Sequence, residues 1–182
     1  PNVRGSRGNG KKFLKADNGE ERAKVLLDIE RIYNAVAANP LWDQNRIAVM
    51  GGSYGGFMAL HSMVNLNNFV RCGIDVVGIS NFVTFLENTS DYRRDLRRVE
   101  YGNERLPEMR KFLQELSPLT HVEKITRPLL IVQGANDPRV PASESAQIEA
   151  ALRKKDIETW YLLAKDEGHG FRKQVNRSFQ FL

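Results

Sequence analysis

The chain has 182 residues, of which 41% are hydrophobic and 27% are charged, and its formal net charge is +5. These values are ordinary for one globular domain and exclude a disordered or collagen-like chain. No apolar run approaches the ~18 residues that a membrane span requires, and the first residues lack the apolar core of a signal peptide. We therefore expect one domain over residues 1–182 that does not act at a membrane.

The single cysteine, Cys72, excludes an internal disulfide, fits a reducing compartment and favours a cytoplasmic location. The basic charge raises nucleic-acid binding as a distant alternative. However, no nucleic-acid motif is present and aromatic residues are not interleaved with basic ones. The densest basic run, residues 93–98, is interpreted as a solvent-exposed helix face, with a surface toward an acidic partner domain as the alternative.

Predicted strands and helices alternate along the chain. Residues 2–4 read as the end of a strand, and a glycine-rich loop follows at residues 5–10, without the G-x-G-x-x-G spacing of a phosphate cradle. Helical spacing of apolar residues predicts a helix over residues 20–38. Further elements are predicted at residues 47–50 (strand), 57–64 (helix), 72–77 (strand), 80–117 (irregularly helical excursion), 129–132 (strand), 143–154 (helix), 158–163 (strand) and from 172 (helix).

This alternation predicts an α/β fold with a mostly parallel sheet and helices on both of its faces. The first strand is entered midway and the last helix stops at the final residue. We therefore expect a fragment of a longer chain that lacks the first strands of the sheet. Such a sheet would have an exposed edge, which favours association into homo-oligomers.

The sequence GGSYG at residues 51–55 matches G-x-S-x-G and lies between a predicted strand and a predicted helix. This is the setting of a nucleophile elbow, in which a sharp turn exposes the serine at the end of the strand. Ser53 is therefore the expected nucleophile. The backbone N–H of Tyr54, at the start of the helix, is the expected oxyanion donor.

A serine nucleophile needs a base and an acid that orients the base. Of the three histidines, His61 lies about two helical turns after the serine and His121 in a connecting segment, so we predict His169 as the base. Asp137 follows a strand and is the predicted acid, in the chain order Ser…Asp…His of α/β-hydrolases. Asp75, within a strand, is its competitor.

Four segments together resemble the catalytic domain of the prolyl oligopeptidase family of serine peptidases, over nearly the whole chain. They are NVRGS at residues 2–6, GGSYGG at 51–56, GANDPRVP at 134–141 and DEGHGF at 166–171. The resemblance implies an α/β-hydrolase fold, and the motifs quoted above point to no cofactor and no metal. It also implies cleavage of short peptides through an acyl-enzyme.

The resemblance further implies a β-propeller domain that precedes the catalytic domain and restricts access to it, which is a missing partner here. A second oxyanion donor would come from a loop just upstream of residues 2–5. Arg139 matches a family position that points into the substrate site and can bond a substrate carbonyl; a surface ion pair is the alternative. Ile79 and Val140 are interpreted either as walls of the substrate pocket or as plain core.

We therefore expect a serine hydrolase that acts on peptides. An esterase or acyl hydrolase on the same fold is the first alternative, since both reactions are acyl transfers. A catalytically incompetent fragment is the second, because losing one oxyanion donor can cost on the order of 100- to 1000-fold in rate.

Overall fold

The computed structural model describes residues 2–181 and contains a parallel four-stranded sheet in the order β1-β2-β3-β4. The strands are β1 (Ala48–Gly52), β2 (Cys72–Val76), β3 (Leu129–Gly134) and β4 (Thr159–Ala164). All neighbouring pairs run parallel, so each connection must cross over a face of the sheet. The predicted α/β fold class is confirmed.

Helices flank the sheet, and in the described part of the chain none is long and apolar enough to cross a membrane. They are α1 (Gly10–Leu14), α2 (Ala23–Ala37), α3 (Tyr54–Asn65), α4 (Phe82–Asn88), α5 (Asp91–Tyr101), α6 (Pro107–Leu116), α7 (Ala142–Arg153) and α8 (Gln174–Gln180). Two 3-10 helices, Gly19–Arg22 and Pro118–Lys124, precede α2 and β3.

The prediction of a strand at residues 2–4 is wrong. The N–H of Arg4 donates to the carboxylate of Asp28 on α2, and the N–H of Gly5 donates to the carbonyl of Phe13 on α1. These backbone groups therefore bond to helices, and a strand cannot form without a partner in a ladder. The predicted glycine loop ends at Gly10, where α1 begins.

The excursion predicted at residues 80–117 is more regular than expected, since it contains the three helices α4, α5 and α6. The side chain of Asn81 caps α4 by accepting hydrogen bonds from the N–H groups of Val83 and Thr84, and Pro107 begins α6. The other predicted helices and strands are confirmed in type and order, with ends shifted by a few residues.

Helix α3 packs into both apolar clusters of the core. Phe57 contacts the cluster formed with α4 and α6, whereas Leu60 belongs to the cluster formed with β3 and α7. Both side chains are fully buried. The helix that follows Ser53 is thus fixed from two sides, which holds the preceding turn in place.

Candidate active site

Ser53 occupies a strained turn between β1 and α3. Its φ is 58° and its ψ is −117°, a conformation that costs a non-glycine residue roughly 1–3 kcal/mol. The turn is held by hydrogen bonds, because the N–H of Ser53 donates to the carbonyl of Val76 at 2.8 Å and its own carbonyl accepts from Gly56 at 2.9 Å. Ser53 is partly exposed at this turn, just after the end of β1.

The glycines around this serine have a steric cause. A Cβ atom on Gly51 would lie 2.0 Å from the carbonyl oxygen of Gly55. A Cβ atom on Gly56 would lie 2.3 Å from Oδ1 of Asp75 and 2.5 Å from the Cα of Gly78. The first turn of α3 therefore crosses the ends of β1 and β2 too closely for side chains.

Tyr54 is the first residue of α3, and its N–H has no backbone acceptor among residues 2–181. Free N–H groups at a helix N-terminus carry partial positive charge and favour an anion nearby. The ring of Tyr54 is buried against Phe57, at 5.5 Å between centroids, and burial raises the pKa of its hydroxyl. Tyr54 is therefore held inward while its amide lies at the site.

Asp137 and His169 form a close pair. Oδ2 of Asp137 lies 2.7 Å from Nδ1 of His169, and Oδ1 accepts from the N–H groups of Arg139 at 2.8 Å and Val140 at 3.1 Å. The carboxylate is fully shielded from solvent, whereas the imidazole is 14% exposed. With Nδ1 engaged by the carboxylate, Nε2 is the nitrogen left to exchange a proton with a reacting group.

The loops that carry this pair are joined to each other. The N–H of Asn136 donates to the carbonyl of Glu167 at 2.9 Å. The carboxylate of Glu167 accepts from the N–H groups of Arg172 at 3.0 Å and Lys173 at 2.9 Å. Glu167 therefore fixes the loop that carries His169 and forms no hydrogen bond with its ring.

Ser53 and His169 line one cavity of about 290 Å³. No hydrogen bond joins the two side chains, and such bonds often tighten only when substrate binds. Arg139, which is exposed, also lines the cavity, together with apolar and aromatic residues. These are Val3, Tyr54, Ile79, Phe85, Tyr101 and Val140. Ile79 and Val140 are 1% and 2% exposed, so each is at once core and cavity wall.

Residues 1–181 match the model of the prolyl oligopeptidase family. The chain belongs to the prolyl oligopeptidase family. The resemblance inferred from the four sequence segments is therefore confirmed, and the parallel sheet with flanking helices agrees with the α/β-hydrolase domains of serine peptidases in this family.

Two curated relatives and one solved structure illustrate the similarity. Dipeptidyl peptidase family member 6 of Caenorhabditis elegans is 41% identical over 96% of this chain and 24% of its own. Dipeptidyl aminopeptidase BIII of Pseudoxanthomonas mexicana is 41% identical over 98% of this chain and 26% of its own. A puromycin hydrolase crystal structure superposes with a TM-score of 0.87 and 26% identity, over 96% of this chain and 26% of its own. The chain thus spans about a quarter of the length of these family members.

The alternatives to Asp137 and His169, namely Asp75, His61 and His121, do not line the cavity of Ser53. Asp75 is fully buried in β2, its carboxylate has no hydrogen-bond partner within residues 2–181, and burial raises its pKa to about 7. Burial lowers the pKa of His61, on α3, to about 4, and the imidazole of His121 contacts the carbonyl of Glu115 at 2.8 Å. Neither histidine lines the cavity of Ser53. In residues 2–181, no cluster of three or more His, Cys, Asp or Glu side chains could hold a metal ion.

The interpretation of residues 93–98 as a solvent-exposed face fits Asp95 and Leu96 but is wrong for the arginines, which are only partly exposed. Arg93 and Arg97 line the cavity, and Arg98 is buried against Glu104, with 9% and 2% of their side chains exposed. The signal was present in the sequence, since Arg93, Arg97 and Tyr101 are spaced four residues apart and so share one helix face. Because Tyr101 is buried, this face points into the protein.

Arg22 is a buried residue beside the site that the sequence did not reveal. Its Nη1 donates to Asp17 at 3.0 Å, and its Cζ lies 4.9 Å and 4.3 Å from the ring centroids of Tyr54 and Tyr101. Burial raises the pKa of Asp17, whereas the charge of Arg22 lowers it. No local pattern marks this arrangement, because it depends on contacts between distant segments.

Proposed function

We propose that residues 1–182 form the catalytic domain of a serine peptidase that cleaves short peptides through an acyl-enzyme. Membership of the prolyl oligopeptidase family supports the reaction class. The observation that carries the proposal is the 2.7 Å contact between Asp137 and His169, beside the strained turn at Ser53. In this proposal Ser53 is the nucleophile, His169 the base and Asp137 the acid that orients the base.

In the first half of the reaction, Oγ of Ser53 attacks the substrate carbonyl carbon while Nε2 of His169 takes the hydroxyl proton. The carboxylate of Asp137 stabilises the imidazolium that forms, and the N–H of Tyr54 donates a hydrogen bond to the oxyanion. The tetrahedral intermediate collapses as the C–N bond breaks. The leaving amine takes the proton from Nε2, and an ester remains on Ser53.

In the second half, Nε2 of His169 removes a proton from a water molecule, which attacks the ester carbonyl. The intermediate expels Oγ of Ser53, which takes its proton back from Nε2, and the product acid leaves. Arg139 is proposed to bond a substrate carbonyl from the cavity wall. Ile79 and Val140 would contact the substrate residue before the scissile bond.

The proposal is tested by labelling with a fluorophosphonate, which reacts with a base-activated serine, followed by mass spectrometry of the modified residue. We expect labelling at Ser53 that both Ser53→Ala and His169→Ala abolish. The controls Ser143→Ala and His121→Ala remove the same groups outside the cavity and should leave labelling intact. A folded protein that is not labelled at Ser53 would contradict the proposal.

The Asp137→Asn variant tests the role of the acid. An asparagine cannot hold the imidazole in the same tautomer or stabilise its charge, so kcat should fall on the order of 10³- to 10⁴-fold. Measuring kcat for the variant and the parent protein tests this.

Comparing the hydrolysis of a peptide anilide with that of a short-chain ester separates peptidase from esterase activity. Turnover of the ester alone would favour an esterase on the same fold.

A further inference from the structure

The cavity beside Ser53 contains more positive charge than its acidic residues offset. Its lining includes two acidic side chains, Asp17 and Glu100, and a larger set of basic ones. The arginines that line it are Arg4, Arg93, Arg97 and Arg139. The charge that a substrate meets depends on which of these guanidinium groups already form an ion pair with a carboxylate.

Both acidic side chains and two of the arginines are engaged in ion pairs. The pairs are Arg4–Asp28 at 2.7 Å, Arg97–Glu100, and Arg22–Asp17 at 3.0 Å. Arg4 donates two hydrogen bonds to its carboxylate, each of 2.7 Å, which is the bidentate geometry of a strong pair. These groups are therefore neutralised within the protein.

Of the four arginines that line the cavity, Arg93 and Arg139 have no ion-pair partner among residues 2–181. Neither guanidinium forms an ion pair or a hydrogen bond with any acceptor in residues 2–181. In Arg93 the Nε–H is also shielded from solvent and still has no acceptor. Because Arg93 lines the cavity without a counter-charge from residues 2–181, a carboxylate that enters the cavity would form a charge-assisted pair with its guanidinium.

We infer that Arg93 is a specificity-determining residue that binds a carboxylate of the substrate, while Arg139 adds positive charge to the same cavity. The inference rests on the proposed function and adds the chemical class of its substrate, a peptide with a carboxylate close to the scissile bond. A guanidinium matches a carboxylate through two parallel hydrogen bonds. The neighbouring rings of Phe85 and Tyr101 would pack against the methylene groups that carry the carboxylate.

The carboxylate has two sources in a peptide, an acidic side chain and the free C-terminus. Two matched substrate pairs separate them: glutamate against glutamine beside the scissile bond, and a free C-terminus against its amide. We expect kcat/KM to favour the carboxylate in one of the two pairs. In Arg93→Gln the ratio within that pair should fall by about 10- to 100-fold, since a charge-assisted hydrogen bond is lost.

Two controls separate recognition by Arg93 from a general effect of charge. Arg105→Gln removes the same charge from an exposed residue outside the cavity and should keep the ratio unchanged. Arg93→Lys keeps the charge but loses the planar fork and should restore only part of the ratio. It also serves as the test variant if Arg93→Gln does not fold. Higher ionic strength should lower the ratio in the parent protein.

The outcomes are distinguishable in the naturally expressed protein. Equal kcat/KM within both pairs, or a ratio that Arg93→Gln and Arg93→Lys leave unchanged, would overturn the inference and leave the proposed function standing. Failure to hydrolyse either member of both pairs, together with no labelling of Ser53 by the fluorophosphonate, would overturn the proposed function and the inference with it.

Discussion

Arg22 is fully buried behind the turn that carries the candidate nucleophile. Its guanidinium lies over the faces of the neighbouring rings of Tyr54 and Tyr101, and it donates to the carboxylate of Asp17 and to the carbonyl of Glu100. Stacking between a guanidinium and aromatic rings is favourable, particularly where water is excluded. Arg22 therefore holds the ring of Tyr54 while the amide of the same residue faces the cavity.

Removing Arg22 should destabilise the protein strongly. In Arg22→Met the carboxylate of Asp17 stays buried without its partner, so we expect the free energy of unfolding to fall by about 3–5 kcal/mol. The measurement is urea denaturation of the variant and the parent protein under the same conditions.

Arg31→Met is the matched control, since Arg31 also pairs with an aspartate but is 76% exposed and lies 4.0 Å from it. It should change stability by less than about 0.5 kcal/mol. Adding Asp17→Asn to Arg22→Met should recover part of the loss, because the uncompensated charge is gone. Equal losses in the two single arginine variants would contradict this account.

At the scale of elements, Glu144 joins α7 to the segment between β2 and α4. Its buried carboxylate accepts from the N–H groups of Ser80 at 3.1 Å and Asn81 at 2.8 Å, and from the hydroxyl of Thr84. Burial raises the pKa of Glu144, and these hydrogen bonds oppose the rise. The segment held in this way includes Ile79, which forms part of the cavity wall.

We expect Glu144→Gln to lower the free energy of unfolding by about 1–3 kcal/mol, because an amide offers one acceptor oxygen where the carboxylate offers two. Glu115→Gln makes the same exchange at an exposed site with a distant 4.0 Å ion pair. It should stay within about 0.5 kcal/mol of the parent protein. Thermal unfolding of both variants measures the difference, and equal effects would contradict a special role for Glu144.

At the scale of the whole molecule, one buried carboxyl couples stability to pH. Asp75 lies where β2 meets the first turn of α3, close to Gly56 and Gly78, and has no exposed surface. Burial raises its pKa to about 7, and the negative charge of Glu144 adds to the rise. The usual pKa of an aspartate is 3.8, so the folded state keeps a proton that the unfolded chain releases.

The sign of the resulting pH dependence follows from proton binding. The unfolded chain binds fewer protons at this site between pH 3.8 and about 7, so the contribution of Asp75 to stability falls as pH rises through that window. Asp75→Asn mimics the neutral carboxyl at every pH. Relative to the parent protein, its free energy of unfolding should rise by up to about 4 kcal/mol across the window.

Denaturant unfolding of both proteins from about pH 3 to about pH 8 measures this difference, because that range brackets the pKa values of 3.8 and about 7. Repeating the series with both proteins carrying Glu144→Gln shows how much of the pH dependence is due to the negative charge of Glu144. A difference that stays constant with pH would mean that the carboxyl titrates alike in the folded and unfolded states.

The sequence by itself determined the fold class and the residues that could carry the chemistry. The steric demands of a strand that turns at once into a helix leave a local mark, the glycines around Ser53. Short apolar runs alternate with segments of helical spacing, and this second local pattern was sufficient to predict a parallel sheet. Asp137 and His169 could be chosen because loops after parallel strands meet at one edge of the sheet.

Only the tertiary structure decided what surrounds those residues. A strand at residues 2–4 was predicted from a local pattern, but a strand depends on a partner that the pattern does not contain. The spacing of Arg93 and Arg97 predicts that they share a helix face. It does not predict whether that face lies in solvent, pairs with a carboxylate or lines a cavity with Arg139. Glu100 lies on the same helix, but Arg139 and the other walls of the cavity come from distant segments, so the charge that a substrate meets depends on what the fold brings together.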